Sequence, residues 1–222
     1  MQIQVMTNIL DENDKIATQV HERLSAADIF IVNLMGSPGC GKTSLLENTI
    51  VALKNEISMA VIEGDLFTAK DAERIKQHGV PVVQINTGGG CHLDANMVNN
   101  VLDSLDLEAL DLIVIENVGN LVCPAEFNIG EDVKVTLLSI TEGEDKPLKY
   151  PLIFKQASVV ILNKIDLLPY TNFDMQAAVA DITSINPDAV LLQVSCQSGI
   201  GLPQWCGWLK EQIRMKQTRS ME

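Results

Sequence analysis

The sequence predicts an α/β fold in three layers, a mostly parallel sheet flanked by helices on both faces. Three observations carry this expectation. Short apolar runs rich in β-branched residues alternate with amphipathic stretches along the chain, the order that builds a parallel sheet with crossover helices. The runs are continuously apolar rather than alternating, as strands buried on both faces must be. One of them passes through a glycine-rich turn directly into a helix.

The elements follow in order. Residues 1–28 are expected to form an N-terminal helical extension, because Ile16, Val20 and Leu24 recur at helical spacing with charges between them. The first strand is "IFIVNLM" (29–35), followed by the helix "KTSLLENTIVAL". Further strands are expected at "MAVIEG" (59–64), "PVVQI" (81–85), "DLIVIE" (111–116), "KVTLLSI" (134–140), "SVVILN" (158–163) and "VLLQVS" (190–195). In 93–105, Leu93, Met97, Val101 and Leu105 form one apolar stripe, with Asn96, Asn99 and Asn100 elsewhere on the surface. "TEGEDKPLKYP" (141–151) reads as a charged loop, and its Lys146 and Lys149 receive no role. The last helix carries Leu202, Trp205, Leu209 and Ile213, with its tryptophans in the core. The main domain is expected over 29–216, with a C-terminal tail at 217–222.

Composition narrows the function. The 222 residues suffice for one domain with a sizeable core, and 46% hydrophobic with 20% charged is an ordinary globular balance. A formal net charge of −13 argues against nucleic-acid binding through phosphate contacts. No apolar run approaches the ~20 residues of a membrane span, and the N-terminus lacks the basic-then-apolar layout of a signal peptide. A cytoplasmic protein is expected. The five cysteines include no CxxC pair, so thiols with metal or core roles are expected rather than disulfides.

"GSPGCGKT" matches G-x-x-x-x-G-K-[ST] between a strand and a helix. It makes the expected fold a P-loop NTPase fold. Gly36, Ser37, Pro38, Gly39, Cys40, Gly41 and Ser44 would surround the phosphates, all but Pro38 offering a backbone N–H group, helped by the helix N-terminus. Lys42 would reach the β- and γ-phosphates, and the Thr43 hydroxyl would ligate Mg²⁺. Cys40 reads as a small loop residue rather than a nucleophile. Mg²⁺ takes one or two protein carboxylates, and Asp65 and Glu116 lie at strand ends beside this loop. Asp71 is a further candidate or simply a helix-start acid.

"ENVG" (116–119) has the spacing of the D-x-x-G switch of GTPases, with Gly119 placed to meet the γ-phosphate. Asn120 stands where many small GTPases orient water with glutamine, so hydrolysis is expected to be slow in isolated chains. "NKID" fits the guanine-reading N-K-x-D. The Asp166 carboxylate would accept from guanine N1 and N2, a donor pair that adenine lacks. Asn163 would bond the purine edge, and the Lys164 stem would lie over the ring. Ser195, Cys196 and Gln197 occupy the place of the S-A-K loop, departing from it at the last two. GTP and GDP are thus the expected nucleotides.

"NTGGGCHLDA" poses a separate question, because phosphate binding does not need its Cys-His pair. The third and fourth strands bring Cys91, His92 and Cys123 to the same face. Two thiolates and an imidazole suit Zn²⁺ or Ni²⁺ rather than Mg²⁺. Cysteine is also among the most buried residue types, so "VCPAEF" can equally be a packed turn. Adjacent residues rarely aim both side chains at one ion, which favours a site shared across a two-fold axis. His21 and His78 read as solvated or capping residues.

Taken together, "GSPGCGKTSLLE", "EGD" with "DAERI", "QINTGGGCHLDA", "IENVGNLVCP", "EGEDKPLKYP" and "LNKIDL" resemble the hydrogenase nickel-incorporation GTPases, the HypB family, over about residues 29–210. The resemblance implies a dimerising P-loop GTPase that delivers nickel to the large subunit of [NiFe]-hydrogenase with a small zinc- and nickel-binding partner, HypA. It places Cys91, His92 and Cys123 in a metal site at a GTP-dependent homodimer interface. It puts Lys42, Thr43, Asp65 and Glu116 at phosphate and magnesium positions, with Asn163 and Asp166 reading the base. Some members carry an N-terminal cysteine motif or histidine-rich stretch. Here no cysteine precedes Cys40 and His21 is the only early histidine, so any nickel function rests on the interface site. The rivals are a urease-accessory-type nickel GTPase, a P-loop small-molecule kinase with structural cysteines, and a GTP-controlled dimeric scaffold.

Overall fold

A computed structural model describes residues 8–66 and 69–219. Seven parallel strands form one sheet in the order β3-β2-β4-β1-β5-β6-β7. They are β1 (Phe30–Gly36), β2 (Met59–Asp65), β3 (Val82–Asn86), β4 (Leu112–Glu116), β5 (Val133–Ser139), β6 (Val159–Asn163) and β7 (Val190–Val194). Each starts and ends within a residue or so of the predicted run. The central strands are buried throughout or nearly so, while β3 and β7 at the edges are partly open.

Alternation of side chains sends successive residues to opposite faces. Phe30, Val32 and Leu34 pack with Leu45, Leu46 and Ile50 of α2 (Lys42–Leu53), Ile75 of α3 (Lys70–Lys76) and Trp205, Leu209 and Ile213 of the long C-terminal helix α9 (Leu202–Arg219). Trp205 is in the core as expected, and its indole N–H donates to Thr49 Oγ1 at 2.8 Å. On the other face Ile31, Ile62 and Ile113 meet Val20 and Leu24 of α1 (Asn8–Ser25) and Val98 and Leu102 of α4 (Ala95–Leu102). Farther along that face, Met35, Leu138 and Val160 pack against short helices α5 (Cys123–Glu126) and α7 (Pro151–Lys155), and against α8 (Met175–Ile185).

Four expectations shift. The apolar stripe at 93–105 is centred on Ala95, Val98 and Leu102 rather than on Met97, Val101 and Leu105, which are only partly buried. Leu93 is fully buried but precedes the helix, whose cap is Asp94. The 141–151 segment is not an open loop. It closes into a 3-10 turn at 140–142 and the helix α6 (Lys146–Lys149), with Pro147 buried and Lys149 paired to Asp145. The first helix occupies Asn8–Ser25 of the predicted 1–28, and residues 1–7 lie outside the described part. At the other end α9 continues to Arg219, past the predicted start of the tail. His21 and His78 are partnered, through Gly130 O (3.3 Å) and Glu47 (3.6 Å).

Candidate functional site

The site lies at the carboxyl ends of β1, β2, β4 and β6, where open α/β sheets bind ligands. The phosphate loop leaves β1 at Gly36, whose φ is +151°. A Cβ there would sit 2.6 Å from Leu137 O and 2.7 Å from Cys40 Sγ, so this turn requires glycine. Gly41, at φ +103°, precedes α2 without any side-chain cap. The first N–H groups of that helix are therefore left to a ligand. Lys42 is buried, with Nζ 3.5 Å from Ser37 O. The Ser37 hydroxyl donates to Glu142, and Ser44 Oγ lies 3.5 Å from Arg74. Cys40 is fully buried, and desolvation raises its thiol to about 11. Burial and the raised thiol make it a poor nucleophile.

This loop forms one wall of a cavity of about 390 Å³. Pro38, Gly39, Gly41, Lys42, Thr43 and Ser44 of the loop line it together with Glu63, Asp65, Asp71, Arg74, Glu116 and Gly119. Thr43 Oγ1 donates to Glu116 Oε1 at 2.8 Å. Glu116 on β4 stands in register with Glu63 on β2, and both are buried. Among the described residues, one oxygen of each, Oε2, is buried without a hydrogen-bond partner. Burial raises Glu116 to about 7. Burial, then the charges of Glu116, Asp65 and Asp71, raise Glu63 to about 8. A threonine hydroxyl and carboxylates with unpartnered buried oxygens make a hard oxygen donor set, which fits Mg²⁺. Asp65 Oδ1 accepts from the Leu66 amide at 2.6 Å. Asp71 lies in the first turn of α3 and pairs with Arg74 at 2.9 Å, with Arg74 also paired to Glu47 at 2.6 Å.

The raised carboxyls have a consequence for stability. A Glu63 whose folded pKa is near 8, against 4.5 unfolded, contributes stability that is complete below 4.5 and lost as pH rises through 8. Metal- and nucleotide-free protein is expected to melt progressively lower between about pH 5 and 9, with Glu63→Gln flattening the fall. Thermal melts across that range check it. Parallel curves for the two proteins would show that Glu63 carries no such penalty.

The "ENVG" segment lies against the phosphate loop. The Asn120 amide donates to Gly36 O at 2.9 Å, forming an isolated antiparallel bridge. Gly119 approaches Pro38 so closely that a Cβ would fall 2.9 Å from the Pro38 nitrogen. At the base-reading end, Asn163 Nδ2 donates to Cys40 O (2.9 Å) and Lys164 Nζ to Gly39 O (2.6 Å). Lys164 adopts φ +62° and lines the cavity. Ser195 Oγ donates to Asp166 Oδ1 at 2.5 Å and accepts from the Ser198 amide at 3.0 Å. Cys196 Sγ contacts Asn163 Oδ1 at 3.6 Å, and burial raises its thiol to about 11. Gln197 is exposed. Asn163, Asp166 and Ser195 thus form a second cluster beside the phosphate cavity, outside its lining.

The donor atoms of Cys91, His92 and Cys123 all lie within 4.8 Å of one another. Adjacency does not keep the first two apart, contrary to the sequence expectation: Cys91 Sγ is 3.6 Å from His92 Nδ1. The turn before them makes this possible. Gly88 and Gly89 take φ of +62° and +101°, and Thr87 Oγ1 closes the loop onto Gly90 O at 2.7 Å. The His92 ring stacks on Phe127 at 3.8 Å and 23°. Burial lowers its pKa, favouring the neutral imidazole that ligates metals. A hydrogen bond with Cys91 holds the Cys123 thiol above its usual value.

Two contributors escape the motif reading, Glu63 and Asn117. Glu63 interrupts the apolar run "MAVIEG" on a strand buried on both faces; a carboxylate in such a place is itself the signal. Asn117 is buried, and its Oδ1 accepts from the Leu93 amide next to His92 at 3.1 Å.

Comparison with known proteins accords with this geometry. The family described as CobW/HypB/UreG, nucleotide-binding domain, matches residues 30–193. The chain is 48% identical over 210 residues to the hydrogenase maturation factor HypB of Escherichia coli K12, covering 95% of this chain and 72% of that protein. It is 51% identical over 210 residues to HypB of Azotobacter vinelandii, covering 95% and 69%. The crystal structure of Helicobacter pylori HypB in complex with nickel is similar at a TM-score of 0.88 and 39% identity, over 92% of this chain and 96% of that one.

Proposed function

We propose, from the premise that this chain belongs to the CobW/HypB/UreG nucleotide-binding family and to its HypB members, that it is a GTP-hydrolysing nickel metallochaperone. Its cargo is Ni²⁺, with Zn²⁺ as the competing ion, and its task is to assist nickel insertion into [NiFe]-hydrogenase. The observation that carries this reading is the convergence of two thiols and one imidazole on the loops next to the phosphate cavity. A plain nucleotide hydrolase has no use for that soft donor set.

In this reading residues 29–216 are the GTPase unit. GTP binds with Lys42 on its β- and γ-phosphates, and Asp166 and Asn163 read guanine. Thr43, Asp65 and Glu116 would hold Mg²⁺, which would supply charge neutralisation at the phosphates. Gly119 senses the γ-phosphate, and Cys123 follows it at the start of α5. Hydrolysis releases the Gly119 segment and moves Cys123 relative to Cys91 and His92, which changes affinity for the cargo. Turnover is slow in the isolated chain, because Asn120 stands where a water-orienting residue would. A GTP-dependent homodimer completes the site, and the small accessory protein HypA and the hydrogenase large subunit are the partners.

Equilibrium dialysis with nickel tests the reading, on wild type and Cys91→Ala, each with GDP and with a non-hydrolysable GTP analogue. Wild type is expected to bind nickel with an affinity that depends on the nucleotide. The variant, left with two donors, is expected to lose about 100-fold or more. Equal binding by both proteins would remove Cys91 from the site and leave a GTPase without this cargo.

A further inference from the structure

Asn117 lies between the two halves of the site. It is buried to 1% exposure, and its backbone is tied to the sheet by Asn117 N–H to Leu34 O at 3.0 Å. Its side-chain Oδ1 accepts two amides at once. One is the Val118 N–H at 2.9 Å, immediately before Gly119. The other is the Leu93 N–H at 3.1 Å, immediately after His92. A single carbonyl oxygen therefore joins the segment expected to feel the γ-phosphate to the loop that carries two of the three soft donors.

The polarity of this joint is set from behind. Glu131 Oε2 accepts from the Ile129 amide at 2.7 Å, and Lys134 Nζ lies 3.6 Å from Oε1. An ionised carboxylate only accepts. Asn33 Nδ2 must therefore be the group that donates to Glu131 Oε1, at 3.2 Å, which turns Asn33 Oδ1 away from it. That oxygen accepts from Asn117 Nδ2 at 3.1 Å. Asn117 Oδ1 is thus left facing the two loop amides, with no second orientation that satisfies the row. Asn33 sits in the apolar run of β1 and is itself fully buried. A buried polar row of this kind needs every bond made.

We propose that Asn117 is the positioning residue that couples nucleotide state to metal affinity. When the Gly119 segment moves, the Val118 amide leaves Oδ1 or draws it along, and the Leu93 amide and the neighbouring His92 respond. The reverse holds by linkage: metal on Cys91 and His92 biases the Val118–Gly119 segment by the same factor. The inference rests on the nucleotide-gated metal reading above.

The test has two arms. Nickel affinity is measured with GDP and with the GTP analogue in wild type and in Asn117→Ala, which leaves all three soft donors in place. Wild type is expected to show a ratio of about 5-fold or more between the two states, and the variant less than about 2-fold. Equal ratios in both proteins would overturn the relay while leaving the gating intact. A wild-type ratio of one would overturn the gating itself, and the relay with it. The second arm needs no variant: amide hydrogen exchange in the wild-type dimer. Exchange at Leu93 is expected to respond to nucleotide, and exchange at Val118 to nickel. A segment-wide change confined to the side where each ligand binds would overturn the relay, even if Asn117→Ala does not fold.

Discussion

Asp166→Asn is expected to lower affinity for GTP by about 100-fold or more and to raise affinity for XTP. The half-buried Asp166 carboxylate is held by Ser195 through one oxygen, at 2.5 Å, and Ser195 is itself fixed by the Ser198 amide. A carboxylate oriented this way is ready to accept the N1 and exocyclic N–H groups of guanine. An asparagine presents one acceptor and one donor. The donor meets the exocyclic amine of guanine unfavourably but suits the carbonyl oxygen that xanthine carries there. Competition binding with fluorescent GTP, against GTP, ATP and XTP, checks this. An unchanged order of preference would remove Asp166 from base reading and reopen the kinase alternative.

Lys42→Ala is expected to slow GTP hydrolysis by about 100- to 1,000-fold, the loss typical of one preorganised charge on a transition state. Lys42 is a buried cation within a largely anionic cavity, and its charge lowers the pKa of Glu116, of Glu63 and of Cys40. Its removal therefore acts twice. The phosphate oxygens lose a partner, and Glu63 and Glu116 lose a counter-charge, so both carboxyls hold their protons to higher pH. A carboxyl that keeps its proton is a poor partner for Mg²⁺. The magnesium concentration for half-maximal rate should rise along with the loss in rate, and Lys42→Arg should restore the charge without the compact fit of an ammonium group. Single-turnover hydrolysis at several magnesium concentrations reads both effects. Retained hydrolysis in Lys42→Ala would move the essential cation elsewhere, with Arg74, which also lines the cavity, as the alternative.

Much of this was legible in the chain because it is local. A strand buried on both faces declares itself by continuous β-branched residues, and the seven runs were found within a residue or so of their ends. The phosphate loop is a turn whose glycines answer to positive backbone angles at Gly36 and Gly41, a local preference that the motif records, although Leu137 and Asn163 from distant strands also crowd those two positions. The N-K-x-D cluster is short for the same reason.

The parts that escaped depend on register and on packing between distant segments. Glu63 and Glu116 face one another only because β2 and β4 pair with that particular alignment, and a one-residue slip would send one of them to the other side of the sheet. The 141–151 segment reads as a loop from its charges, yet Pro147 finds a buried seat and the turn closes into helix. The close approach of the Cys91 and His92 donor atoms accompanies two consecutive left-handed glycines, a backbone arrangement that residue adjacency alone does not reveal. The spacing of "ENVG" assigns Asn117 no role of its own. Its role as a joint requires Asn33, Glu131 and the Leu93 amide, three groups from separate stretches of chain. The sequence by itself determined the sheet, the nucleotide loops and the identity of the soft donors, because those follow from local backbone preference and side-chain chemistry. Only the tertiary structure decided which buried carboxylates share the cavity and how the loop carrying Cys91 and His92 is tied to the Val118–Gly119 segment, because hydrogen bonds and charges act through distance in space and not along the chain.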